Sequence, residues 1–117
     1  MPFMLLIVEP RGQRDTRAQA EGEALYARMV EFAEELAAEG QLIEAHALTA
    51  DTNAARVRVR EGRASVVDGP FAEAKEMIGG FFLLDCATRD EAVAIAQRCP
   101  AAAWASVEVR ETGPCFR

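Results

Sequence analysis

Apolar residues recur along this chain with the two periods that distinguish strands from helices. A short apolar run predicts a strand from Phe3 to Val8, ended by Glu9-Pro10, and the polar residues 10–19 predict an exposed loop. A helix follows, because apolar residues recur at steps of four, three and four before Gly40, a residue suited to end a helix. These apolar residues are Leu25, Met29, Phe32 and Leu36; Gly22 leaves the start of the helix open.

The second half of the chain predicts four strands and one helix. Residues 41–50 predict a strand, and residues 56–67 predict a hairpin in which valines alternate with arginines before a Glu61-Gly62 turn. A two-residue turn pairs Val59 with Ala64, Val57 with Val66 and Arg58 with Ser65. Gly79-Gly80 opens the next strand (79–86), Thr88 and Glu91 form a capping box for a second helix that ends at Pro100, and residues 104–110 predict the last strand.

This order predicts an α+β fold, a ferredoxin-like βαββ(β)αβ antiparallel sheet with both helices on one face, in a single domain of residues 1–117. Two strands are apolar on both sides: Phe81 and Leu83 point to one face, Phe82 and Leu84 to the other, and the first strand is similar. Both sheet faces must then be covered at their centre. Two helices cover one face, so we expect a second copy to cover the other, giving a homodimer.

Composition narrows the function classes. Half of the 117 residues are apolar and the net charge is −6, which argues against a nucleic-acid partner. No apolar run approaches the ~20 residues of a membrane span, and the first residues lack the basic start of a signal peptide. Three cysteines without a Cys-x-x-Cys pair favour neither a disulfide framework nor a zinc ribbon, so we expect a cytoplasmic protein without a metal or cofactor. The cysteines are Cys86, Cys99 and Cys115.

The segment "VVDGPFAEAKEMIGGFFLLD", together with "MLLI", "RCPAA" and "SVEVR", resembles the DGPF branch of the YCII-related proteins over nearly the whole chain. The resemblance implies a ferredoxin-like unit that pairs into a dimeric α/β barrel. Many members of this branch are encoded beside extracytoplasmic-function sigma factors, and most have no established reaction. A few distant relatives are enzymes thought to use a His–Asp pair. The histidine of that pair lies in the first helix region, where this chain has none.

The Asp68–Lys75 segment has two interpretations. Structurally, Asp68 accepts backbone N–H bonds in a turn, Gly69 and Pro70 shape it, and Phe71 anchors it to the core. Functionally, the segment faces a cleft, where a desolvated Asp68 acts as an acid or base and Lys75 holds an anion. The residues that would bind a ligand are Asp68, Pro70, Phe71, Glu73 and Lys75. Turn chemistry accounts for more of these residues, so the structural interpretation is preferred.

His46, the one histidine, is the other candidate acid–base group. Two functions from different classes therefore remain open. The first is a homodimeric small-ligand-binding or regulatory module, linked to a sigma-factor system. The second is a small lyase- or isomerase-type enzyme that uses Asp68 or His46 in a cleft at the dimer barrel. Convergence of His46, Asp68 and Glu73 on one concave pocket would favour the enzyme.

Overall fold

The computed structural model describes residues 2–116. Short 3₁₀ turns lie at Arg14–Thr16, Asp51–Asn53 and Pro100–Ala103. The strands and helices of the described range are, in chain order, β1 (Phe3–Pro10), α1 (Gln19–Ala38), β2 (Leu42–Ala47), β3 (Ala55–Arg60), β4 (Arg63–Asp68), β5 (Glu76–Leu84), α2 (Arg89–Arg98) and β6 (Ser106–Glu111).

Four strands form an antiparallel sheet in the order β2-β5-β1-β6. Alternate residues of β1 are buried, and in register Leu5 lies opposite Phe82 on β5 and Val109 on β6. Phe32 of α1 and Ile95 of α2 belong to the same buried cluster as these residues, so both helices cover one face. The α+β class and the helices on one face are confirmed, and the strand order is compatible with a ferredoxin-like fold.

The predicted hairpin lies outside this sheet. Strands β3 and β4 form a separate two-stranded sheet with the predicted pairs, Val57 opposite Val66 and Val59 opposite Ala64. Glu61 and Gly62 both have positive φ, 53° and 76°, as a tight hairpin turn of this hand requires. Every residue of both strands is exposed. Within residues 2–116, the main sheet therefore has four strands. The optional fifth strand of the prediction is not part of it, because β3 and β4 pair only with each other.

Helix boundaries follow local signals. Helix α1 contains Gly22 in its first turn and ends before Gly40, which has a φ of 74°. The Thr88 side chain accepts a hydrogen bond from the Glu91 backbone N–H, so the predicted cap of α2 is confirmed. The Glu91 carboxylate reaches back to the backbone N–H of Ala87.

The double glycine lies inside a strand rather than at its start. Strand β5 begins at Glu76, and the register against β1 shifts between Ile7 and Val8, which leaves Gly79 as the extra residue of a bulge. A Cβ on Gly80 would lie 2.9 Å from the backbone oxygen of His46. The expected close packing of the backbone is confirmed. The expected start of the strand at Gly79 is wrong, because the three residues before the glycines, Glu76, Met77 and Ile78, already pair with β1.

Candidate functional site

The loop after β4 is held by a carboxylate other than the predicted one. The backbone N–H of Phe71 donates to Oδ2 of Asp51, at 3.2 Å, and not to Asp68. Phe71 is buried, as expected, with 9% of its surface exposed. Gly69 lies so close to the Asp51 segment that a Cβ there would overlap the Asp51 backbone oxygen. The structural interpretation of the loop is thus supported, but its hydrogen-bond acceptor is Asp51.

Arg11 connects Asp51 to the far end of the same loop. Its guanidinium donates to both Asp51 carboxylate oxygens and, through Nε, to the backbone oxygen of Ala74 at 2.7 Å. The Arg11 backbone N–H donates to the Lys75 oxygen. Hydrogen bonds from Arg11, reinforced by that from Phe71, lower the pKa of the Asp51 carboxyl to about 2. Asp51 and Arg11 therefore fix both ends of residues 69–75.

The other charged groups of the loop lie at the surface. Glu73 accepts a hydrogen bond from Arg56 at 2.7 Å, and the Arg56 guanidinium lies 3.8 Å from the centre of the Phe71 ring. Asp68, Pro70 and Lys75 are exposed. These contacts join the hairpin base to the loop. Of the five predicted ligand-binding residues, Phe71 is buried and the other four are exposed, and none of them lines the larger cavity described below.

A cavity of about 760 Å³ lies elsewhere, between α1 and the sheet. Only the second half of α1 packs closely on the core, where Phe32 and Leu36 are buried. The earlier residues of the same apolar stripe, Leu25 and Met29, are half-buried and line the cavity. The opposite wall is made by Ile7, Ala45, Ala47, Gly79, Gly80 and Phe82, and Ala101 and Trp104, from the segment after α2, complete this part of the lining.

An ion pair lies in the cavity wall. Glu9 continues the inward alternation of β1 and is 6% exposed. Arg14 donates to both of its carboxylate oxygens, from Nε at 2.9 Å and from Nη2 at 2.6 Å. A Cβ on Gly79 would overlap Oε1 of Glu9, so the missing side chain leaves room for this carboxylate on the strand. Gly79 therefore forms the floor beneath a buried, paired carboxylate.

The two predicted catalytic residues do not share this cavity. His46 is among the lining residues, and its side chain is 58% exposed, with Nε2 2.7 Å from Oε1 of Glu44 and its ring 5.5 Å from that of Phe81. Asp68 and Glu73 are outside the lining. Among residues 2–116, no group of three potential ligands is arranged to hold a metal ion.

A comparison with known families agrees with the sequence resemblance. The family model of the YCII-related domain matches residues 1–114. This chain belongs to the YCII-related family. A relative that is 47% identical over 58 residues is the uncharacterised protein R00369 of Rhizobium meliloti (strain 1021). The match covers 50% of this chain and 47% of that relative, so the chain spans about half the length of the curated relative it matches.

The YCII-related chain has no helix, in the part that the structure describes, with the length and apolar content needed to cross a membrane. Cys86 and Cys99 are buried, as their apolar positions predicted, and burial raises the pKa of both thiols. Cys115 is exposed. The thiols of Cys86 and Cys99 thus behave as small core groups.

Sequence reasoning missed Glu9 and Arg14 in this YCII-related chain. Glu9 follows Phe3, Leu5 and Ile7 at the same spacing of two, which places it on the inward face of β1. A carboxylate at an inward position needs a cationic partner, and the nearest arginines along the chain are Arg11 and Arg14. The spacing of Glu9 therefore indicated a buried carboxylate, but a charged residue before proline is also typical of the end of a strand.

Proposed function

We propose that this YCII-related protein is a homodimeric small-ligand-binding module whose ligand occupies the cavity beneath α1. The cavity itself carries the proposal. Its volume of about 760 Å³ lies within the range of small-molecule sites, roughly 300–1,000 Å³. Its wall is mostly apolar, with a few placed polar groups, which is the usual composition of such sites.

Binding is preferred to a lyase- or isomerase-type reaction because the candidate acid–base groups lie apart. An enzyme of that type needs its acid and base within hydrogen-bond or one-water reach of one substrate atom. His46 lines the cavity, whereas Asp68 lies at the end of β4, outside the lining. His46 is also engaged with Glu44, at 2.7 Å. A regulatory role beside a sigma-factor system is supported by the family resemblance, and the unpaired, buried Cys86 and Cys99 favour a cytoplasmic location.

A thermal-shift screen of metabolites tests the ligand site. Gly22 lines the cavity from α1, and a Cβ there meets nothing within 4 Å, so Gly22→Leu fills the space from a tolerant position. A cavity ligand at 100 times its Kd should stabilise the wild type by about 2.7 kcal/mol and leave Gly22→Leu unchanged.

Asp68→Asn is the matched control for the other surface. It should respond to the ligand as the wild type does, because Asp68 is outside the cavity lining. A ligand that stabilises Gly22→Leu but fails to stabilise Asp68→Asn would place the site at the loop after β4 and overturn the cavity proposal.

The homodimer is proposed from two uncovered surfaces. The outer face of the sheet carries half-buried Met4, Leu6, Phe81 and Leu83, all pointing away from the helices. An isolated two-stranded hairpin is only marginally stable in water, yet β3–β4 exposes apolar side chains. Val57, Val59 and Val66 are 65%, 58% and 64% exposed. A second copy would cover the apolar side chains of both surfaces.

Sedimentation at micromolar concentration tests the dimer. The wild type should show about twice its mass of 12.7 kDa. Leu6→Glu places a charge at the centre of the outer sheet face and should shift the protein toward monomer. Phe116→Glu adds the same charge at an apolar residue that is 81% exposed in the segment after β6, and it should leave the dimer intact. A well-folded wild-type monomer would contradict the proposal.

A further inference from the structure

The charged groups of the cavity are separated along its length. The cavity wall contains four of them, Glu9, Arg14, Arg17 and Glu34. Glu9 and Arg14 neutralise each other through two hydrogen bonds. Glu34 lies 15 residues after Gln19, in the fifth turn of α1 and about 22 Å along the helix at 1.5 Å per residue. Among the residues that line the cavity, Arg17 is therefore the one cation near the start of α1 that has no paired carboxylate.

Arg17 is available to a ligand. Within residues 2–116, no carboxylate lies within 4 Å of its guanidinium. Arg17 is partly buried and lines the cavity beside the first turn of α1. An anion at this part of the cavity would have an unpaired cation beside it.

The remaining wall suits an apolar body. Leu25 and Met29 line the cavity from α1, Phe82 from the sheet, and Trp104 from the segment after α2. Gln13 donates to the backbone oxygen of Trp104 at 2.7 Å, which connects the Trp104 segment to the loop before α1. Methionine and aromatic side chains pack well against flat rings as well as chains.

We propose that the ligand of this cavity is a small apolar monoanion, a carboxylate with an aromatic or aliphatic body. This inference rests on the proposed ligand-binding function. The carboxylate lies at the start of α1 against Arg17, while the body lies against Met29, Phe82 and Trp104. The Glu9–Arg14 pair stays intact on the Gly79 floor, because its charges are already balanced. A dianion would meet one excess cation only.

Trp104 provides the measurement, since it is the one tryptophan of the chain and lines the cavity. The probes are 4-phenylbutyrate and its neutral amide, which share a body and differ in charge. Titrations of tryptophan emission should show saturable binding of both, with the carboxylate about tenfold tighter, as expected for one charge-assisted contact. Raising the salt concentration should weaken binding of the carboxylate but not of the amide.

Two variants separate the outcomes. Arg17→Gln should reduce the preference for the carboxylate to about twofold or less and leave amide binding unchanged. Gly22→Leu should abolish the response to both probes, and Gly22→Ala is its control without the added bulk. Equal affinity of the wild type for the two probes would contradict the proposal that the ligand is a monoanion, but it would still support the cavity as the ligand site. A saturable response that survives Gly22→Leu would place the probe elsewhere and contradict both proposals.

Discussion

The loop at residues 69–75 and the cavity beneath α1 both contain a paired arginine and carboxylate, yet they use them differently. In the loop, Asp51 and Arg11 also bond the backbone at Phe71 and Ala74, so the pair joins distant chain segments. In the cavity, Glu9 and Arg14 bond each other and border open space. An ion pair whose groups also hydrogen-bond the backbone therefore indicates a structural role. An ion pair that borders a cavity instead indicates a candidate ligand site.

The glycines show the same difference. Gly69 lies against a backbone oxygen, which cannot move without moving the 3₁₀ turn that carries it. Gly79 lies against the end of the Glu9 side chain, which can rotate. Changes in the loop should consequently cost stability, whereas changes at the cavity should be tolerated more easily and alter binding.

Gly69→Ala should have the largest effect. The new methyl group would overlap the backbone oxygen of Asp51, so the loop or the turn must shift, at a cost of about 3 kcal/mol or more in the free energy of unfolding. Urea denaturation measures this. Gly22→Ala is the matched control: it lies within α1 with open space around its Cβ and should stabilise by about 0.5–1 kcal/mol. Equal stability of the two variants would contradict the close packing.

Asp51→Asn should have the next largest effect on the free energy of unfolding, because it removes the negative charge that Arg11 and the Phe71 backbone N–H stabilise. The Asp51 pKa is lowered to about 2, so this carboxyl adds stability above its unfolded pKa of about 3.9. That stability is lost as the pH falls from about 4 through 2, because the unfolded chain takes up the proton first. The difference in unfolding free energy between wild type and Asp51→Asn should therefore shrink over this range. If this difference in unfolding free energy did not change with pH, the Asp51 carboxylate would not be the acceptor of the hydrogen bonds from Arg11 and Phe71.

The sequence predicted the fold well because its signals are local. Alternation and helical stripes located the strands and helices, and the Glu61-Gly62 turn chemistry gave the register of β3 with β4. The loop's acceptor was mistaken because Asp51 is 20 residues from Phe71, and no local pattern distinguishes it from Asp68. The cavity was missed for a related reason: a stripe of apolar residues does not reveal which of its turns contact the sheet.

Gly79→Ala should have a smaller effect at the cavity, about 1–2 kcal/mol, since the Glu9 carboxylate must leave its place on the strand. The loss should shrink in a Glu9→Ala background, which removes the overlapping group, and a double-mutant cycle in urea measures that coupling. Purely additive losses would show that the glycine is needed for the bulge alone.

Asp68→Ala should have the smallest effect. Asp68 is exposed at the end of β4, and the amide of Phe71 already has its acceptor in Asp51. Surface substitutions of this kind change the unfolding free energy by about 0.5 kcal/mol or less. The variant should also bind phenylbutyrate as the wild type does, because Asp68 is not among the residues that line the cavity. A loss of 1–2 kcal/mol would restore Asp68 as the turn's hydrogen-bond acceptor, while lost binding at unchanged stability would move the ligand site to the loop after β4.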